Sequence, residues 1–291
     1  MKQLLSLLLV LFSVNAFAKI KVVATLPDIA EVVKSVGGDN VEVSSLLTGG
    51  TDPHFADARP DYILKVNRAD VVCSVGLDLE IGWLPKVLEK ASNAKVQPGS
   101  PGYCELGKSV KPLEIPTGVI NRSLGDVHPH GNPHFTLDPL KLSESGAEVV
   151  RVLSEVDAAH AADYQKNYDS FKKKMAALHE QMKAKVKKVK VMEYHKEFTY
   201  FFNSYGLESA GSLEEKPGMP PSATRIAEVA KAAKANNVKV LFATASAPHK
   251  TLERFQELSG ISVVTVPSYV QSSGDAKSVE ALQNLLVKSI P

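Results

Sequence analysis

Cysteine is scarce in this sequence: Cys73 and Cys104 are the only 2 among 291 residues. A structural zinc site of the all-thiolate kind is therefore excluded. At most one disulfide can form. Cys73 lies in the strand-like run Ala69–Cys73 and Cys104 in the loop Pro101–Cys104, and two buried thiols fit those positions as well as one bridge does. A charge excess is also missing. Lys and Arg number 34 against 32 Asp and Glu, for a formal net charge of +2. The basic footprint of a nucleic-acid binder is absent, and no nucleic-acid partner is expected. Beyond the N-terminus no apolar run approaches the roughly 20 residues that span a bilayer, which excludes an internal membrane helix. What is present, 44% hydrophobic and 23% charged residues, is the composition of a globular protein.

The N-terminus reads as a targeting segment. Lys2 gives a positive start, Leu4 to Val14 is almost unbroken apolar sequence, and Ala16-Phe17-Ala18 places small residues where a signal peptidase reads them. Residues 1–18 are expected to be a cleaved signal peptide, which makes the protein an exported one, most simply periplasmic. No cysteine stands near the cleavage site, so no lipid anchor is signalled.

From Lys19 onward, short apolar runs alternate with helical patterns. Ile20–Ala24, Val41–Leu47 and Val71–Val75 predict strands, and helices are predicted over Asp28–Val36, from Pro60, and over Glu80–Ala91. The stretch from Gln97 to Pro133, rich in Pro, Gly and Ser, breaks this rhythm. Helical pattern resumes from Asp138 to Val156. Residues 157–186 then predict one long helix with a stripe of Tyr164, Tyr168, Phe171, Met175, Leu178 and Met182. The alternation restarts at Lys188 and runs to Ile290. The expected fold class is α/β. Two similar lobes of parallel sheet flanked by helices, 19–156 and 187–291, are joined by a connecting helix at 157–186.

The chain has 8 histidines. His54 and His195 are placed beyond the C-terminal ends of predicted strands, and His134 sits in a loop just before a helix. Ligands of open parallel sheets bind beyond the carboxyl ends of the strands. Two facing lobes would bring these loops into one cleft, and three neutral imidazoles suit a borderline divalent ion, zinc above all. His160, His179 and His249 read as structural or surface residues. His128 and His130 fit either a weak metal-capturing loop or two exposed imidazoles, and are expected to lie apart from the main site.

The segments around those three histidines resemble a known family. Asp52-Pro53-His54 with Ala58-Arg59-Pro60-Asp61, Asn132-Pro133-His134 with Leu137-Asp138-Pro139, and Tyr194-His195 with Phe198-Thr199-Tyr200-Phe201 are similar to the ligand loops of metal-binding solute receptors of bacterial ABC transporters, the cluster that imports zinc or manganese. Gly76-Leu77-Asp78-Leu79-Glu80 with Trp83-Leu84, and Glu214 to Ser222, look like further blocks of its zinc-type branch.

The resemblance implies metal held between two lobes, by His54 and His134 from the first and His195 from the second. It implies a monomeric, non-enzymatic receptor that hands a divalent metal ion to a membrane permease. Zinc is expected rather than manganese, because manganese-type members commonly carry a carboxylate in place of His195. A fourth ligand, usually an Asp in the last loop of the second lobe, falls near Ser268 or Tyr269; Asp275, Glu214 and a water all stay open for that role. The rival reading is an exported three-histidine zinc hydrolase, against which stands the lack of an HExxH helix.

Overall fold

Two parallel four-stranded sheets form the frame of the protein. In the computed structural model, which describes residues 18–117 and 127–291, the first sheet contains β1 (Ile20–Ala24), β2 (Val41–Ser45), β3 (Val71–Ser74) and β4 (Tyr103–Glu105), in the order β2-β1-β3-β4. The second contains β5 (Lys190–Glu193), β6 (Glu208–Ser212), β7 (Val240–Ala243) and β8 (Ser262–Thr265), in the equivalent order β6-β5-β7-β8. All adjacent pairs are parallel. The expected signal segment, Ala18 apart, lies outside the described residues.

Helices cross between the strands. The first lobe carries α1 (Pro27–Gly37), α2 (Pro60–Asn67), α3 (Leu84–Ala91) and α4 (Pro139–Val156). Each has a proline in its first turn, where the missing N–H has no helical partner to lose. α3 starts later than its sequence pattern predicts. Gly76, Leu77 and Asp78 all take positive φ, and so divert the chain into a turn before Pro85 sets the helix.

β4 was not expected. It lies within the stretch read as irregular and pairs with β3 so that Cys73 and Cys104 are register partners. Both are buried free thiols.

The predicted long helix is shorter than expected. The carboxylate of Asp157 bonds both His160 Nδ1, at 2.7 Å, and Tyr164 Oη, at 2.6 Å. This gathers residues 158–160 into a separate 3-10 turn. The helix proper, α5 (Ala161–Lys183), has 23 residues and is about 35 Å long. It packs against α1 and α4. Its predicted stripe, Tyr164 to Met182, is buried throughout.

The second lobe carries α6 (Thr199–Tyr205), α7 (Ala223–Ala235), α8 (His249–Ser259) and α9 (Val279–Lys288). Side chains alternate across its sheet as strand geometry demands. Val191, Val240 and Phe242 join a large core shared with the first lobe, whereas Met192, Leu241 and Ala243 join a smaller one under α7 and α8. α9 then returns to pack on α5. Its Gln283 donates to the Leu137 carbonyl at 2.9 Å and accepts from Tyr205 Oη at 2.7 Å.

Candidate metal centre

Two of the three predicted site histidines stand in the same local motif. In Asp52-Pro53-His54 the Asp52 side chain accepts from the His54 backbone N–H at 2.9 Å, and in Asn132-Pro133-His134 the Asn132 side chain accepts from the His134 N–H at 2.9 Å. These are Asx turns, and the intervening proline keeps the Asx residue extended. Trp83 holds the first turn from behind, its Nε1 donating to the Pro53 carbonyl at 2.8 Å. Asn132 holds the second to the other lobe, donating to the Lys196 carbonyl at 2.8 Å. His195 follows the end of β5, at the point where the strand order of its sheet reverses between β5 and β7. A buried carboxylate braces each sheet there. Glu80 accepts from Thr25 Oγ1 and the Val75 and Gly76 N–H groups, and Glu193 from Phe198 N–H and Thr199 Oγ1.

The structure brings His54, His134 and His195 together, with one candidate ligand atom from each lying within 4.8 Å of the others. Every ring is fixed through Nδ1. Asp52 Oδ1 holds His54 at 2.7 Å, Tyr269 Oη holds His134 at 2.7 Å, and Glu214 Oε2 holds His195 at 2.8 Å. Outer partners of this kind orient a ring and leave Nε2 as the nitrogen that would ligate. His134 Nε2 is buried and has no hydrogen-bond partner. A buried nitrogen lone pair with nothing to bond is costly unless a cation takes it. The donor set therefore fits a divalent metal.

The surrounding charge acts on the three site groups in different directions. Burial, and then the neighbouring His54, His195 and His128, hold His134 well below its ordinary range and keep it neutral. Burial would also depress His195, but the Glu214 hydrogen bond and the nearby carboxylates Glu197 and Glu193 outweigh it and raise the ring to about 9. Burial pushes Asp52 up, yet its bonds from His54 hold it below the usual carboxylate range.

Two residues stand closer to the cluster than sequence reading placed them. His128 Nε2 lies 3.0 Å from His54 Nε2, and the Leu77 backbone, in the positive-φ turn after β3, hydrogen-bonds the same ring. Neighbouring sequence gave no sign of that turn. Tyr269 was seen only as the place where a carboxylate ligand was expected. Glu214, offered as a fourth ligand, instead orients His195. Asp275 is exposed, and no carboxylate joins the three-histidine group among the described residues. His160 binds Asp157, His179 stacks on Tyr205, and His249 is exposed beside Glu253.

Residues 22–290 match the family described as zinc-uptake complex component A, periplasmic, or ZnuA. The chain belongs to the ZnuA family.

A metal ABC transporter substrate-binding lipoprotein of Streptococcus mutans, SloC, is 28% identical over 284 residues, covering 90% of this chain and 88% of its own length. An iron ABC transporter substrate-binding lipoprotein of Streptococcus pyogenes, MtsA, is 26% identical over 262 residues, with 84% and 78% covered. The crystal structure of a ZnuA superimposes with a TM-score of 0.76 at 22% identity, covering 93% of this chain and 98% of that one; this is a likeness of fold. Proteins of the ZnuA family are substrate-binding components of metal ABC transporters, not enzymes, and this chain is one of them. The hydrolase reading has no support. No helix among the described residues is long and apolar enough to cross a membrane.

Proposed function

We propose that this chain is an exported zinc receptor. It binds one zinc ion in the cleft through Nε2 of His54, His134 and His195, with His128 as a fourth donor, and passes the ion to the membrane permease of its transporter. The observation that carries the reading is His134 Nε2, buried without a partner beside rings tied back through Nδ1. An all-imidazole donor set favours zinc over manganese, which prefers oxygen ligands. Copper and nickel also suit imidazole, so selectivity in the cell rests on availability as well as on the site.

The test is titration of the purified, chelator-stripped protein with zinc and with manganese. One zinc should bind tightly per chain and manganese much more weakly. Zinc at about 100 times its dissociation constant should stabilise the fold by roughly 2.7 kcal/mol. A stripped protein whose melting curve ignores zinc would sink the proposal.

A further inference from the structure

After β8 the chain runs from Val266 to Ser278 without helix or strand. By sequence this segment belongs to the second lobe, and Val266 N–H still bonds the Ala243 carbonyl there, yet from Val270 onward it is fastened to the first. The Val270 N–H donates to Asp28 Oδ2 at 3.0 Å, and the Val279 N–H to Glu31 Oε2 at 2.8 Å. Asp28 and Glu31 stand one turn apart on α1, so both carboxylates face the same segment. The Ser272 N–H donates to the Thr48 carbonyl at 2.9 Å. Gly49 takes φ +79°, and a Cβ built there would fall 1.9 Å from the Val270 carbonyl oxygen. Only glycine allows that approach.

This fastening places the neighbouring side chain, Tyr269. It is 3% exposed, and its Oη lies 2.7 Å from His134 Nδ1. The contact decides a tautomer. A neutral imidazole carries one proton, on Nδ1 or on Nε2. If Tyr269 Oη accepts from Nδ1–H, Nε2 keeps its lone pair for an ion. Without that acceptor the proton can move to Nε2 and block ligation.

We infer that Tyr269 is a positioning residue that holds His134 in its metal-ready tautomer, and that Gly49 and Asp28 of the opposite lobe set Tyr269 in place. The inference rests on the zinc-receptor reading for its consequence. The first ligand loop and the last loop of the chain are thereby coupled: the backbone leading to His54 also governs His134, through Val270 and Tyr269.

Three variants and one spectroscopic readout test this. Tyr269→Phe removes only the hydroxyl and should weaken zinc binding about 10- to 100-fold, the usual effect of losing an outer partner of a ligating histidine. Gly49→Ala touches no ligand but should push Val270 away and weaken binding in the same range. In the double variant Gly49→Ala, Tyr269→Phe the losses should not add, because both act on one contact. The melting temperature of the metal-free variants reports folding separately. Imidazole nitrogen NMR of the metal-free protein should show His134 as the Nδ1–H tautomer in wild type and with a growing Nε2–H share in Tyr269→Phe.

Unchanged zinc affinity and tautomer in Tyr269→Phe would overturn the inference, as would fully additive losses in the double variant. The tautomer measurement uses no metal. A wild type that bound no zinc yet showed the expected tautomer shift would defeat the receptor reading and leave the positioning role standing.

Discussion

The Nε2 atoms of His54 and His128 face one another at 3.0 Å. Without an ion, one of them must donate a proton to the other. With an ion the same spacing is nearly that of two ligands, since tetrahedral zinc with bonds of 2.0–2.1 Å sets its nitrogens about 3.3 Å apart. The sequence pattern groups His128 with His130 as a pair apart from the main site; the fold separates them. His128 is half-buried against His54, whereas the His130 side chain is 70% exposed and 3.8 Å from Asp78. His128→Ala should therefore weaken zinc binding roughly 10-fold or more. His130→Ala should leave it unchanged. Competition against a chromophoric chelator reads both; equal effects would place the two residues in one loose loop.

Replacing a ligand should cost more than replacing an outer partner. His54→Ala, His134→Ala and His195→Ala are each expected to weaken zinc binding by more than about 100-fold. His179→Ala should behave in the opposite way. That ring stacks on Tyr205 with centroids 5.3 Å apart and its Nδ1 meets Ser204 Oγ at 3.1 Å, far from any ligand role. The expected result is a lower melting temperature at unchanged zinc affinity. Isothermal titration alongside thermal melting separates the two classes.

The raised pKa of His195 sets a pH dependence. Its folded value, about 9, is above the unperturbed histidine value of about 6.5. Protonated His195 beside Glu214 thus stabilises the metal-free fold fully below about pH 6.5, and that contribution fades as pH rises through about 9. Zinc requires the neutral ring, so binding near pH 7.5 should release about one proton from this residue. Zinc affinity should then rise with pH and flatten only near 9. Calorimetry in buffers of different ionisation enthalpy counts the proton. Glu214→Gln keeps an acceptor on Nδ1 but removes the charge, and should move the flattening to lower pH. If its profile matched wild type, Glu214 would not be the source of the shift.

Strand-helix alternation was legible because most strands hold a short apolar run and most helices announce themselves with a proline or a capping residue. Ser222, for example, caps α7 through the Arg225 N–H. The three histidine loops were legible from Asx-Pro-His and from the strand end before His195. What escaped depends on contacts between distant parts of the chain. β4 is three residues long and is a strand only because β3 lies beside it. His128 enters the site through a left-handed turn at Leu77 and Asp78, residue types that rarely take positive φ. Tyr269 reaches His134 across 135 positions of sequence, and neither residue's neighbours signal the other.

The chain's single tryptophan gives a last prediction. Trp83 is 1% exposed, and its Nε1 supports the carbonyl of Pro53, the residue before His54. Tyr62 packs beside it, with ring centroids 6.0 Å apart. Any movement of the first ligand loop on binding must shift the hydrogen bond of this indole. Zinc should therefore change the intrinsic emission of the protein, and the change should saturate at one equivalent. Trp83→Phe keeps most of the packing but leaves the Pro53 carbonyl without its buried donor, a loss of about 1–3 kcal/mol. Part of that loss falls on folding and part on the pose of His54. The expected result is a lower melting temperature together with zinc affinity reduced several-fold. If zinc affinity stayed at the wild-type value while the melting temperature fell, the indole would support the lobe and not the ligand loop.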